Sequence, residues 1–163
     1  MSVDNHIDGE GIMDDKILES IVKRFKDEPY RKKFGIEIVR LDYGYSKVKM
    51  IFKEDTENIL GMAHGGAIFS LMDEAFEIAS NSHGTIAVAL SMNITFIKPP
   101  LRGDVLFAEA KETSVSRKIG TYDITVKNDA DDLIATCQAL VYIKKDRLPF
   151  LDCSKPVEPD DYS

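Results

Sequence analysis

The chain has little cysteine and no long apolar run. Cys137 sits in an apolar, strand-like stretch and Cys153 in a polar tail, with no CxxC pair and no ligand cluster around either. A disulfide scaffold and a structural zinc site are therefore not expected, and both residues read as free thiols. No stretch approaches the ~20 apolar residues that span a bilayer, and no basic segment followed by an apolar one opens the chain. The expectation is a cytoplasmic protein with no membrane partner. A basic stripe is also missing from a chain of formal charge −7, so no nucleic-acid partner is expected.

That negative charge is unevenly placed. Residues 1–15 hold five acids and no Lys or Arg, and residues 146–163 hold five acids against Arg147 and Lys155. The body between them is close to neutral, so a phosphate-bearing ligand is not repelled from it. With 163 residues, 44% of them hydrophobic, the chain suits one domain with an ordinary core. We assign that domain to residues 1–145, of which 1–13 form an acidic extension. An acidic, proline-containing tail of irregular structure is expected over 146–163.

Along the body, Ile17, Leu18, Ile21, Val22 and Phe25 recur at helical spacing and predict a helix over 14–27 that ends before Pro29. The stretch FGIEIVRLDYGYSKVKMIFK reads as two strands broken near Gly44, with Val48, Met50 and Phe52 alternating against lysines. TIAVALSMNITFI is a long strand closed by Lys98-Pro99-Pro100. Its simple alternation puts Val88, Leu90, Met92, Ile94 and Phe96 on a bulky face and Ala89, Ser91, Asn93 and Thr95 on a small or polar one. Three further strands follow over 104–117, 119–129 and 132–145, with a turn at Asn128, Asp129 and Asp131.

Between the second and third strands lies NILGMAHGGAIFSLMDEAFEIASN, residues 58–81. Apolar residues cover most of a helix from Gly65 to about Ser80, and Ser70, Asp73, Glu74, Glu77 and Asn81 form a narrower polar stripe. Periodicity alone makes that stripe the wet side of an amphipathic helix, and leaves Gly65 and Gly66 as a tight turn into it. The order of elements fits an α+β fold, an antiparallel sheet wrapped around one long central helix, with an N-terminal helix.

The string NxxGxxHGGxxxxLxDxAF, with NSHG, MNITFIKPP, RGD and GTYDITV at their present spacings, resembles the hotdog-fold acyl-CoA thioesterases of the phenylacetate-degradation type over roughly residues 34–145. The resemblance implies a hotdog fold and hydrolysis of aryl or medium-chain acyl-CoA esters, with no metal and no cofactor beyond the coenzyme A carried by the substrate. It makes Asp73 the base or nucleophile, Asn58 the residue that orients the water, and His64 a shaper of the turn or a contact to the carbonyl region. Gly65 fits the remaining role. A glycine at a helix N-terminus offers an unpaired N–H at the positive end of the dipole and no side chain to block a carbonyl oxygen.

Gly65 and Asp73 are eight residues apart, or ~12 Å along one helix, too far for both to touch one carbonyl group. A homodimer with shared sites is expected, assembling further into a tetramer. Some relatives carry a hydroxyl where this chain has Ala89, and Ser91 is expected two residues along the same face. For the phosphates of the coenzyme, Ser116, Arg117 and Lys118 are the candidates. The alternative is a non-catalytic acyl-CoA binding or sensing module on the same fold, against which Asp73, Asn58 and Gly65 argue.

Overall fold

Helical periodicity produces α1 (Ile12–Asp27) in the computed structural model, which describes residues 12–151. Ile21 and Phe25 bury their side chains in the core while Lys23, Arg24 and Lys26 stay wet or nearly so. Pro29 ends that helix and begins another, α2 (Pro29–Phe34), because a proline at the first helical position loses no hydrogen bond. Arg31 locks the joint: its guanidinium donates to the carbonyls of Phe25, Lys26 and Ile36 at 2.6, 2.9 and 2.8 Å. Two carbonyls in the last turn of α1 are thereby tied to Ile36, beyond the end of α2.

The hairpin expected around Gly44 is β1 (Glu37–Asp42) and β2 (Tyr45–Ile51), with Gly44 at φ 63°, where a side chain would be strained. After α3 (Gly65–Asn81) come β3 (Thr85–Phe96), β4 (Val105–Val115), β5 (Ile119–Asn128) and β6 (Leu133–Arg147). All pairings are antiparallel, in the order β1-β2-β4-β5-β6-β3. The strand that follows α3 thus lies at an edge, with one side of its backbone without a strand partner among the described residues.

The sheet curls over α3. Leu71, Met72, Ala75, Phe76 and Ala79 are buried against it, and Phe76 meets Tyr122 edge-on at 5.3 Å. Ser46 anchors the helix by donating to the carbonyl of Ala75 at 2.6 Å. Burying Leu71 and Phe76 alone contributes about 1.5–3 kcal/mol each.

Three expectations need correcting. The polar stripe of α3 is not simply wet: Ser70 and Glu74 are 3% exposed because α1 and α2 lie near it, and Tyr30 of α2 bonds the Ser70 hydroxyl at 2.8 Å. The faces of β3 do not follow simple alternation, because the register slips between Ala89 and Ser91. Val88 pairs with Tyr142 and Ser91 with Leu140, both on the open face, whereas Ala89 pairs with buried Val141. A bulge at Leu90 therefore puts Ala89 and Ser91 on opposite faces, and Ser91 cannot stand in for the missing hydroxyl. The fold also passes the expected boundary at 146: β6 runs to Arg147, Leu148 is buried, and Pro149–Leu151 form a 3-10 turn against α1. The rest of the tail, with Cys153, and most of the acidic extension lie outside the described residues.

Candidate active site

The N-terminus of α3 is built from its own loop. His64 is the N-cap, and its Nδ1 accepts the Gly66 N–H at 2.9 Å. The next N–H back, that of Gly65, meets no acceptor among the described residues. A Cβ at Gly65 would stand 3.2 Å from Cζ of Phe96, so the aromatic ring at the end of β3 covers the glycine closely. The unused donor therefore sits at a helix start with an apolar wall beside it.

Asn58 organises the approach to that helix. Its Oδ1 accepts from the backbone of Leu60 at 2.8 Å and of Met62 at 3.2 Å, and its own N–H donates to the Met62 carbonyl at 2.8 Å. Arg102 secures the same loop through two short bonds to Glu57, at 2.8 and 2.6 Å. The loop leaves Ile59, Leu60 and Met62 exposed.

Asp73 lies two turns into α3, half-buried and without a hydrogen bond among the described residues. Burial alone holds its carboxyl above the usual aspartate range. Gly66, Phe69, Asp73 and Glu77 mark a stripe of α3 that the chain's own elements leave partly uncovered.

Spacing did not reveal the acid cluster behind Asp73. Glu28, at the joint of α1 and α2, reaches Glu74 and Glu77, and Glu28 and Glu74 share a hydrogen bond. Burial and then the charges of Glu28 and Glu77 push Glu74 up to about 8. Glu77 touches solvent yet is hemmed in by protein, and desolvation followed by repulsion from Glu28 and Asp73 pushes it up to about 7. Glu28 is raised as well, by desolvation, although Arg31 and Arg24 offset part of it. Glu28 and Glu77 line a cavity of about 430 Å³ with Phe25, Ile86, Ala89 and Phe150. A separate cleft of about 320 Å³ lies at the helix start, between Tyr30, Thr56, His64 and Ser70. Cys137 is buried and pushed up to about 11, which makes it a neutral packing thiol, not a nucleophile.

Ser116, Arg117 and Lys118 form the exposed turn between β4 and β5, where the Ser116 hydroxyl donates to the Ile119 carbonyl and accepts its N–H, both at 3.1 Å. Tyr142 pairs with Ile119 on one side and Val88 on the other, so the turn lies near the Val88 end of β3. Gly65 lies beside Phe96 at the other end, eight residues or ~26 Å along the strand. Within one chain Asn58 belongs to the loop that leads into the helix start at His64 and Gly65, while Asp73 and the basic turn stand apart from that start.

An N–H without an acceptor at a helix start, a raised carboxylate and a partly apolar cavity are compatible with acyl transfer to water, and the sequence comparisons agree with this chemistry. The Thioesterase superfamily matches residues 60–135. A protein of Archaeoglobus fulgidus provisionally assigned as an esterase is 42% identical over 134 residues, 79% of this chain and 87% of that protein. The chain belongs to the thioesterase superfamily. The Escherichia coli acyl-coenzyme A thioesterase PaaI is 33% identical over 123 residues, 76% of this chain and 88% of the relative. Its solved structure superposes with a TM-score of 0.78, at 30% identity, over 82% of this chain and 97% of that one. A Streptococcus mutans protein solved with acetyl CoA bound is similar at 27% identity and a TM-score of 0.67, covering 69% of this chain and 91% of that protein. This thioesterase therefore has the hotdog fold that the sequence motifs imply. No described helix is long and apolar enough to cross a membrane.

Proposed function

We propose that this thioesterase hydrolyses acyl-CoA esters, with aryl or medium-chain acyl groups, at sites shared between two copies of the chain. The observation that carries the reading is a pair of unsatisfied groups on one helix. Among the described residues the Gly65 N–H has no acceptor and the Asp73 carboxylate no donor, and they are eight residues apart on α3. At ~1.5 Å per residue neither can complete the other's work on one carbonyl. The free edge of β3, with Val88, Leu90 and Phe96 exposed, supports a second copy aligned antiparallel to the first. That arrangement brings the Gly65 end of one chain toward Asp73 of the other, and pairs of dimers can build a tetramer.

In this reading the Gly65 N–H polarises the thioester carbonyl, Asn58 orients water or the carbonyl, and Asp73 of the other chain acts as base or nucleophile. A thiolate leaves without much help from an acid, so one carboxylate suffices. The Ser116, Arg117 and Lys118 turn supplies contacts to the phosphates of the coenzyme. CoA-linked relatives and the acetyl-CoA complex of the S. mutans protein support the coenzyme half of the substrate. The test is free-thiol release from phenylacetyl, hydroxyphenylacetyl, benzoyl and fatty acyl-CoA. Tight binding of these esters with no thiol released would replace the enzyme with an acyl-CoA sensor.

A further inference from the structure

The cluster of Glu28, Glu74 and Glu77 has no part in the hydrolysis described above. One carboxylate oxygen from each lies within 4.8 Å of the other two. Such closeness is unusual for groups on separate elements: Glu28 comes from the joint between α1 and α2, and the other two from α3. Glu74 is 3% exposed, and its Oε2 has no hydrogen-bond partner among the described residues. A buried acceptor with no donor costs on the order of 1–3 kcal/mol, more when charged, so such a group points to something that fills the gap.

The surroundings select the filler. Arg31 gives its donors to three backbone carbonyls, so it and Arg24, the one cation among the described residues lining the cavity, act on Glu28 through charge alone, and Asp73 adds another negative charge. Hard divalent cations bind oxygen at about 2.3–2.6 Å, so two ligands of one calcium ion stand up to about 5 Å apart. The observed spread already fits inside one coordination sphere. The cavity lined by Glu28 and Glu77 gives the ion a way in and room for the waters that complete its shell.

We infer that Glu28, Glu74 and Glu77 bind one divalent cation of the oxygen-preferring class, such as Ca²⁺ or Mn²⁺, which clips the joint of α1 and α2 to α3. The ion is a structural clip beside Asp73 and takes no part in thioester cleavage. The test uses the full chain, stripped with EDTA and exchanged into metal-free buffer. It is titrated with MnCl₂ while free Mn²⁺ is read by electron paramagnetic resonance, and melted with and without CaCl₂. One Mn²⁺ per chain with a dissociation constant at or below about 10⁻⁴ M is expected, near the weak end of protein calcium sites, together with a higher melting temperature in calcium. Glu74→Gln and Glu28→Gln should each weaken Mn²⁺ binding at least about tenfold, since each removes one charged ligand of three. Glu19→Gln, an exposed acid elsewhere on α1, should leave it unchanged. If Glu74→Gln folds poorly, Glu28→Gln on the other element carries the same test. No bound Mn²⁺ in the wild type, or equal binding by the wild type and a folded Glu28→Gln, overturns the site.

Discussion

The Gly66 N–H donates to Nδ1 of His64 at 2.9 Å, so the histidine of the His-Gly-Gly motif closes the first turn of α3 from outside. Its ring serves the helix start that holds Gly65 in place. His64→Ala should lower stability by about 1 kcal/mol, the usual cost of losing an N-cap, while His64→Asn should restore most of it. Urea unfolding checks this. If His64→Asn regains stability but not thiol release, the ring also touches substrate.

Asp73→Asn keeps the size and polarity of the side chain and deletes its charge. Turnover should fall by ~10²-fold or more, the scale expected for a positioned base, with the fold intact by circular dichroism. Because burial raises Asp73, the acid limb of kcat/KM in the wild type should lie above the ordinary aspartate value of 3.8, with activity lost as pH falls through it. A near-normal rate for Asp73→Asn would return this residue to the solvated stripe.

Glu74 provides a pH signature of stability, measured in EDTA. Its folded value of about 8 lies above the ordinary 4.5, so between those pH values the native state holds a proton that the unfolded chain has released. Stability must then fall as pH rises through that window, and Glu77, pushed up to about 7, adds in the same direction. Urea midpoints should drop from pH 5.5 to 8.5 in the wild type, and Glu74→Gln should flatten the drop. Equal slopes in both proteins would mean that Glu74 ionises as freely as in the unfolded chain.

Much of this was legible in the sequence, and what was not has definable causes. The α3 boundaries, the Gly44 hairpin and the four later strands follow from local periods and turn residues, while the roles proposed for Asp73 and Gly65 rest on the motif around them. The burial of Glu74 depends on α1 and α2 folding across more than forty residues, which no local period encodes. The bulge at Leu90 reverses the faces of β3 without a glycine to announce it. Proline at 29 signals the end of one helix and the start of the next alike. Asn58 is placed by bonds to its own loop, which a motif cannot distinguish from a bond to water.

The basic turn separates coenzyme binding from chemistry. Arg117→Ala with Lys118→Ala should raise KM for acyl-CoA several-fold and leave a short thioester without the nucleotide unaffected, because distant phosphate contacts give uniform binding. Added salt should weaken the acyl-CoA substrate in the same direction. Equal effects on both substrates would remove the turn from the binding site.

The shared site has the sharpest consequence. Asn58→Asp retains the Oδ1 that accepts the Leu60 and Met62 N–H groups, so the loop can persist while the amide donor is lost. Homodimers of Asn58→Asp or Asp73→Asn are then damaged at both sites. A heterodimer of the two collects both lesions in one site and leaves the other with all its native groups. Random exchange of an equal mixture makes half of the dimers mixed, each with one good site of two, so about a quarter of wild-type activity should return. The two variants are unfolded and refolded together, exchange is verified by mass, and thiol release is measured. Activity no greater than that of the variants refolded separately would put Gly65, Asn58 and Asp73 to work within one chain, or leave Asn58 without a role.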